Sequence, residues 1–163
     1  MEIIKSSRHQ KIIGDFGEML ICNWLSRSGW EVSVVDHTGI DIIAYSPSAH
    51  TRYGITVKSR TRNLGKEDTA VNIFSYRKGK NDRQKLLDAC KAFSCIPWIA
   101  VYVETLEAAD AYLTSLANYD KKYRGSLGKA IDAWKMTKKA KEKYANDPNV
   151  KHIRISFQPT IWF

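Results

Sequence analysis

Gly39-Ile40-Asp41-Ile42-Ile43-Ala44-Tyr45, then Ser46-Pro47-Ser48-Ala49-His50, then Tyr53-Gly54-Ile55-Thr56-Val57-Lys58-Ser59 is the stretch whose reading decides the fold. Both flanks are rich in β-branched and aromatic residues and the middle is turn chemistry, so the two runs are predicted as neighbouring strands. Alternation puts Asp41, Ile43 and Tyr45 on one face of the first strand. In the second, Thr56 and Lys58 share a face, and Ile55 and Val57 take the other. A charge in an apolar strand is costly unless it is paired or holds a metal. Asp41 and Lys58 therefore need a reason to be where they are.

Upstream, Ile12, Ile13, Phe16, Met19, Leu20, Cys22, Trp24 and Leu25 recur at spacings of three and four, which predicts an amphipathic helix over 11–27 ended by Ser28-Gly29. Glu18 sits close to its apolar stripe. The polar, basic residues 1–10 read as a loose arm, and Glu31–Asp36 reads as a first strand. Downstream, the polar stretch from Arg60 to Asn81 is long enough to be functional, mobile, or the host of a short element. A second helix is expected over 82–93, capped by Asn81. Trp98–Glu104 has the continuous apolar character of a buried central strand. A strand over 111–116, a helix over 126–144 with a strongly basic second half, and an edge strand over 151–157 complete the reading.

The 163 residues are expected to form a single domain. Twenty-six Lys and Arg against 17 Asp and Glu give +9, which favours a polyanionic partner, nucleic acid before an acidic membrane surface. No apolar run approaches the ~18 residues of a membrane span. The N-terminus lacks a signal peptide's apolar core. Cys22, Cys90 and Cys95 have no zinc-ligand spacing. The expectation is a cytoplasmic protein with reduced, mostly buried thiols.

Glu18 on a first helix, Asp41 opening a strand and Thr56-Val57-Lys58 on the next resemble the PD-(D/E)xK nuclease superfamily, within it the restriction-endonuclease-like and Holliday-junction-resolvase-like enzymes. The likeness covers Gly14 to Ser59, and the remainder follows only in element order. It implies an α/β fold, a mixed β-sheet core flanked by helices. It implies a metal-dependent DNA endonuclease using Mg²⁺ or Mn²⁺, acting as a homodimer. By the same resemblance Glu18, Asp41 and Lys58 are the catalytic set, and Asp41, Glu18 and the Val57 carbonyl hold the metal. Lys11, Ser59, Arg60 and Arg62 are expected to meet nucleic acid.

Phosphodiester hydrolysis fits these residue types. Carboxylate-bound magnesium acidifies its water and neutralises developing charge, and one or two carboxylates are enough to hold it. Lysine orients the water or stabilises charge on the phosphate. The departure is Thr56, a neutral hydroxyl where the family carries an acidic residue or glutamine. Three readings stay open: a weaker active site, a catalytically silent nucleic-acid-binding or partner-binding module on the same fold, and an unrelated basic α/β interaction protein.

Overall fold

The computed structural model describes residues 2–126, 128–160 and 162. Helix α1 (His9–Arg27) is followed by the antiparallel strands β1 (Glu31–His37), β2 (Ile40–Ser46) and β3 (Thr51–Thr61). After β4 (Val71–Ser75) come α2 (Asp82–Ala92), β5 (Ile96–Glu104) and β6 (Ala108–Ser115). The chain closes with α3 (Leu116–Lys122), β7 (Ile131–Trp134), α4 (Lys138–Ala145) and β8 (Lys151–Ser156). Six strands form one sheet in the order β1-β2-β3-β5-β6-β8, and β4 and β7 form a separate pair. Only the β3–β5 contact is parallel, which makes the main sheet mixed.

The expected alternation is visible as two cores, one on each face of the sheet. Ile55 and Val57 look toward α1 and pack with its Ile13, Ile21, Cys22 and Leu25 and with Ala100 and Tyr102 of β5. Ile43, Ile99, Val101 and Val103 look the other way, into a core built with α2, the β4–β7 pair and the C-terminal elements. Each fully buried Ile or Val contributes about 1.5–3 kcal/mol relative to exposure, so a shift of β3 by one residue would forfeit both layers. Strand β5 lies between β3 and β6, the interior position predicted for Trp98–Glu104. Asn81 accepts from the Gln84 N–H and caps α2 as expected.

Several expectations are corrected. The polar stretch after Arg60 contains β4, whose partner is β7, inside the region predicted as one helix over 126–144. Only 138–145 of that region is helical, with Thr137 as its cap. Asp132 and Trp134 are buried while Ile131 and Ala133 are half-buried, the two-residue alternation of a strand. The strand expected over 111–116 occupies 108–115, because the Ser115 hydroxyl caps α3, an element absent from the sequence reading. The N-terminal arm is not loose along its length: the Lys5 ammonium donates to the Thr61 carbonyl at 2.7 Å, and the Ile3 N–H to the Asn63 side chain at 3.3 Å.

Candidate active site

Two glycines set the frame. Gly39 ends the β1–β2 turn at φ +99°, and a Cβ there would lie 2.4 Å from the Lys85 carbonyl oxygen, so β2 starts pressed against α2. A Cβ on Gly17 would lie 2.1 Å from the Ser59 hydroxyl and 3.3 Å from the Tyr102 Cβ, so α1 crosses β3 and β5 at its closest there. Glu18 is the next residue along.

Strand β2 pairs with β3 only as far as Ile42 opposite Ile55, whereas β3 runs on beside β5 to Thr61 opposite Glu104. Beyond Ile55 the β2 side of β3 is open, and Asp41 stands at the mouth of that splay. Its Oδ2 accepts the Val57 N–H at 2.6 Å and the Thr56 hydroxyl at 3.1 Å. A strand residue's N–H and C=O leave on the same side, so the Val57 carbonyl faces the same opening. Thr56 and Asp41 share a face, and alternation places Lys58 with them. Asp41 Oδ1 makes no hydrogen bond among the described residues.

Glu18 reaches the opening from α1. Burial, then the Asp41 and Asp15 carboxylates, push its carboxyl up to about 7 against the opposing pull of Lys11 and Lys58. A carboxylate whose proton affinity is raised by burial and by neighbouring acids is a group that a bound cation would favour in its ionised form. Among the described residues no three His, Cys, Asp or Glu side chains gather as a metal-binding cluster. The oxygens that could hold a cation at this opening are the Glu18 and Asp41 carboxylates and the Val57 carbonyl. All are hard oxygen donors, which suits Mg²⁺ or Mn²⁺ with water completing the shell. Thr56 donates its proton to Asp41 and so orients that carboxylate without adding charge.

The residues expected to meet nucleic acid separate. Ser59 is removed from that set: it is 5% exposed beneath Gly17, and its hydroxyl has no hydrogen-bond partner. Lys11 is exposed and its ammonium lies 3.0 Å from Asp15 one turn on. Arg60 donates to the Ser59 carbonyl at 2.7 Å and Arg62 to the Ala70 carbonyl at 3.1 Å. Both arginines line a cleft of about 350 Å³ shared with Lys5, His9, Gln10 and Thr61. Sequence reasoning missed Lys5 and His9. His9 Nε2 meets the Thr61 hydroxyl at 2.7 Å across 52 positions of chain, and that hydroxyl donates to Glu104 at 2.9 Å. The basic run Lys5, Arg8, His9 was the available signal, without any indication of what it would touch.

The six-stranded mixed sheet flanked by helices, with α1 laid across the strand that carries Lys58, is a Holliday-junction-resolvase-like fold. Among solved structures the chain is similar to Hjc, a Holliday junction resolvase from the archaeal hyperthermophile Archaeoglobus fulgidus. The match has a TM-score of 0.52 and 14% identity and covers 78% of this chain and 95% of that one, a likeness of fold. No family model matches the chain, and no curated protein does.

Proposed function

We propose that the protein is a divalent-metal-dependent DNA endonuclease acting on branched or structured DNA. The observation that carries the proposal is the splay itself: Asp41 is fixed there by the Val57 N–H and the Thr56 hydroxyl, with Glu18 electrostatically coupled to it. Glu18, Asp41 and the Val57 carbonyl would hold Mg²⁺ or Mn²⁺, which when bound lowers the pKa of its water and neutralises charge on the phosphate. Thr56 and the Val57 N–H keep the Asp41 carboxylate in one orientation. Lys58 has no carboxylate ion-pair partner among the described residues, which leaves its ammonium for the phosphate or the attacking water. Arg60 and Arg62, with Lys5 and His9, offer donors to neighbouring phosphates, and Lys11 adds charge at the rim. A homodimer would bring two such centres to one junction; Ile12, Phe16 and Met19, 58%, 49% and 59% exposed in a row on α1, are the apolar surface proposed for it.

The test is cleavage of a labelled four-way junction and a linear duplex with Mg²⁺ or Mn²⁺. Asp41→Asn is expected to lower the rate about 10²-fold or more, equivalent to about 3 kcal/mol in the barrier, and to remove metal binding. Glu18→Gln should weaken metal binding more mildly, and Lys58→Ala should abolish cleavage while leaving the metal bound. An Asp41→Asn variant that cuts like wild type places the chemistry elsewhere. If wild type and Thr56→Glu are both inert yet bind the junction, the binding-module reading, which the neutral Thr56 favours, replaces this one.

A further inference from the structure

The basic C-terminal half of the predicted 126–144 helix gains a geometry that its sequence does not display. Within α4, Lys141 turns inward to lie 3.7 Å from Asp110 on β6. Lys139 and Lys143 turn the other way and, with Lys135, Lys122 at the end of α3 and its C-cap Tyr123, line a cleft of about 270 Å³ between the two helices. The Lys135 carbonyl accepts from the Tyr144 hydroxyl at 2.9 Å, which fixes the chain where the Lys135 side chain leaves it. Lys122 is neutralised by the buried Asp147 at 2.9 Å. Lys135, Lys139 and Lys143 are exposed and make no ion pair among the described residues. Among the described residues Glu142 is the one exposed acid on the adjoining rim.

We infer that this lysine cleft is a second DNA-backbone contact, which holds a duplex arm of the substrate away from the cutting centre. Lys139 and Lys143 stand one helical turn apart, about 6 Å, comparable with two ~3.4 Å steps along a nucleic-acid strand. The contact belongs to a different part of the surface from the candidate centre. The anchor of α4, Asp110, is on β6, which is two strands and roughly 10 Å from β3 across the sheet. A duplex engaged at the β2–β3 splay can therefore be met a second time only by an arm or flank that extends past α4. No cofactor is needed, because the contact is ionic.

The inference rests on the nuclease reading for the identity of the polyanion, and the experiment separates the two. Lys135→Gln, Lys139→Gln and Lys143→Gln are combined in the full chain, and four-way-junction binding is titrated at several salt concentrations. A control carries the same loss of three charges at Lys66, Lys80 and Lys91. The expected result is a salt slope shallower by about 2–3, with affinity lower by about tenfold or more, in the cleft variant only. Cleavage at saturating junction is expected to stay unchanged. An unchanged slope, equal losses in the cleft and control variants, or weakened binding to anionic phosphatidylserine vesicles with DNA binding intact overturns the inference. If the wild type fails to cut while the cleft variant loses its slope, the nuclease reading falls and the contact stands.

Discussion

At the C-terminal end of the molecule the buried acids are surrounded by donors. Asp147 accepts from Asn118, Lys122, Tyr123 and the Asn149 N–H, Asp110 from His152 and Arg154, and Asp132 from Tyr76. At the β2–β3 end, Glu18 faces Asp41 and Asp15 and has no cation within ion-pair distance among the described residues. The two arrangements respond to pH in opposite senses. Burial works against the Asp147 charge, but hydrogen bonds from Asn118, Tyr123 and Lys122 overcome it and hold the carboxyl far below the usual range. Its contribution is thus complete above the unfolded pKa, near 4, and is lost as pH falls. The Glu18 carboxyl is pushed up to about 7, so the folded state binds the extra proton and stability declines as pH rises from about 4.5 to 7. Saturated acids hold the fold together, whereas ionised Glu18 is held at a cost, and the proposed cation site rests on that contrast.

The largest expected effect breaks the saturated side. Asp147→Ala removes the acceptor shared by α3 and the turn before β8 and is expected to cost about 2–4 kcal/mol at pH 7. Urea denaturation measures it, and the cost should shrink near pH 3. A cost below about 1 kcal/mol at pH 7 would mean that Asp147 is a bystander.

The next effect probes how α1 is seated over the unsaturated side. Gly17→Ala drives a methyl into Ser59 and is expected to destabilise by about 1–3 kcal/mol. Ser59→Ala should be neutral or slightly stabilising alone, since its hydroxyl is buried without a partner, and should recover part of the loss in the double variant. Strict additivity in that double-mutant cycle would contradict the contact.

The smallest effect sharpens the contrast directly. Glu18→Gln should raise stability at pH 8 by about 1–2 kcal/mol, allowing for solvent screening of a half-buried group, and leave it unchanged at pH 4. Thermal melts at the two pH values check it. A gain at pH 4 with none at pH 8 would reverse the assigned sign. In the wild type, Mg²⁺ or Mn²⁺ should stabilise more at pH 8 than at pH 6 if Glu18 is a ligand as proposed, because it would have to give up its proton.

Much of the first third of the chain was legible because its information is local. The 3.6-residue stripe from Ile12 to Leu25, the turn residues at 46–50, and the alternation through Ile55, Val57 and Thr56 each specify an element without distant help. Asp41 and Lys58 declared themselves as charges in apolar strands. The strand pair β4–β7 did not, because Val71–Ser75 and Ile131–Trp134 are short and bury their alternate side chains only against partners some 60 positions away. The lysines from Lys135 to Lys143 also looked evenly spread until the short α4 turned Lys141 inward and left Lys139 and Lys143 on the cleft.

The sequence alone determined a charge of +9, the apolar periods that build α1 and the β1–β3 strands, and the identity and order of Glu18, Asp41 and Lys58 along the chain. Tertiary structure alone decided the rest. It ended the β2–β3 pairing at Ile42, which opened the Val57 backbone toward Asp41, and it aimed the Thr56 proton at that carboxylate. It also buried Ser59 under Gly17 and stood Lys5 and His9 beside Thr61. The physical reason is range: helix and strand periods follow from neighbours a few residues apart, whereas burial, proton affinity and hydrogen-bond partnership depend on groups brought together across the chain.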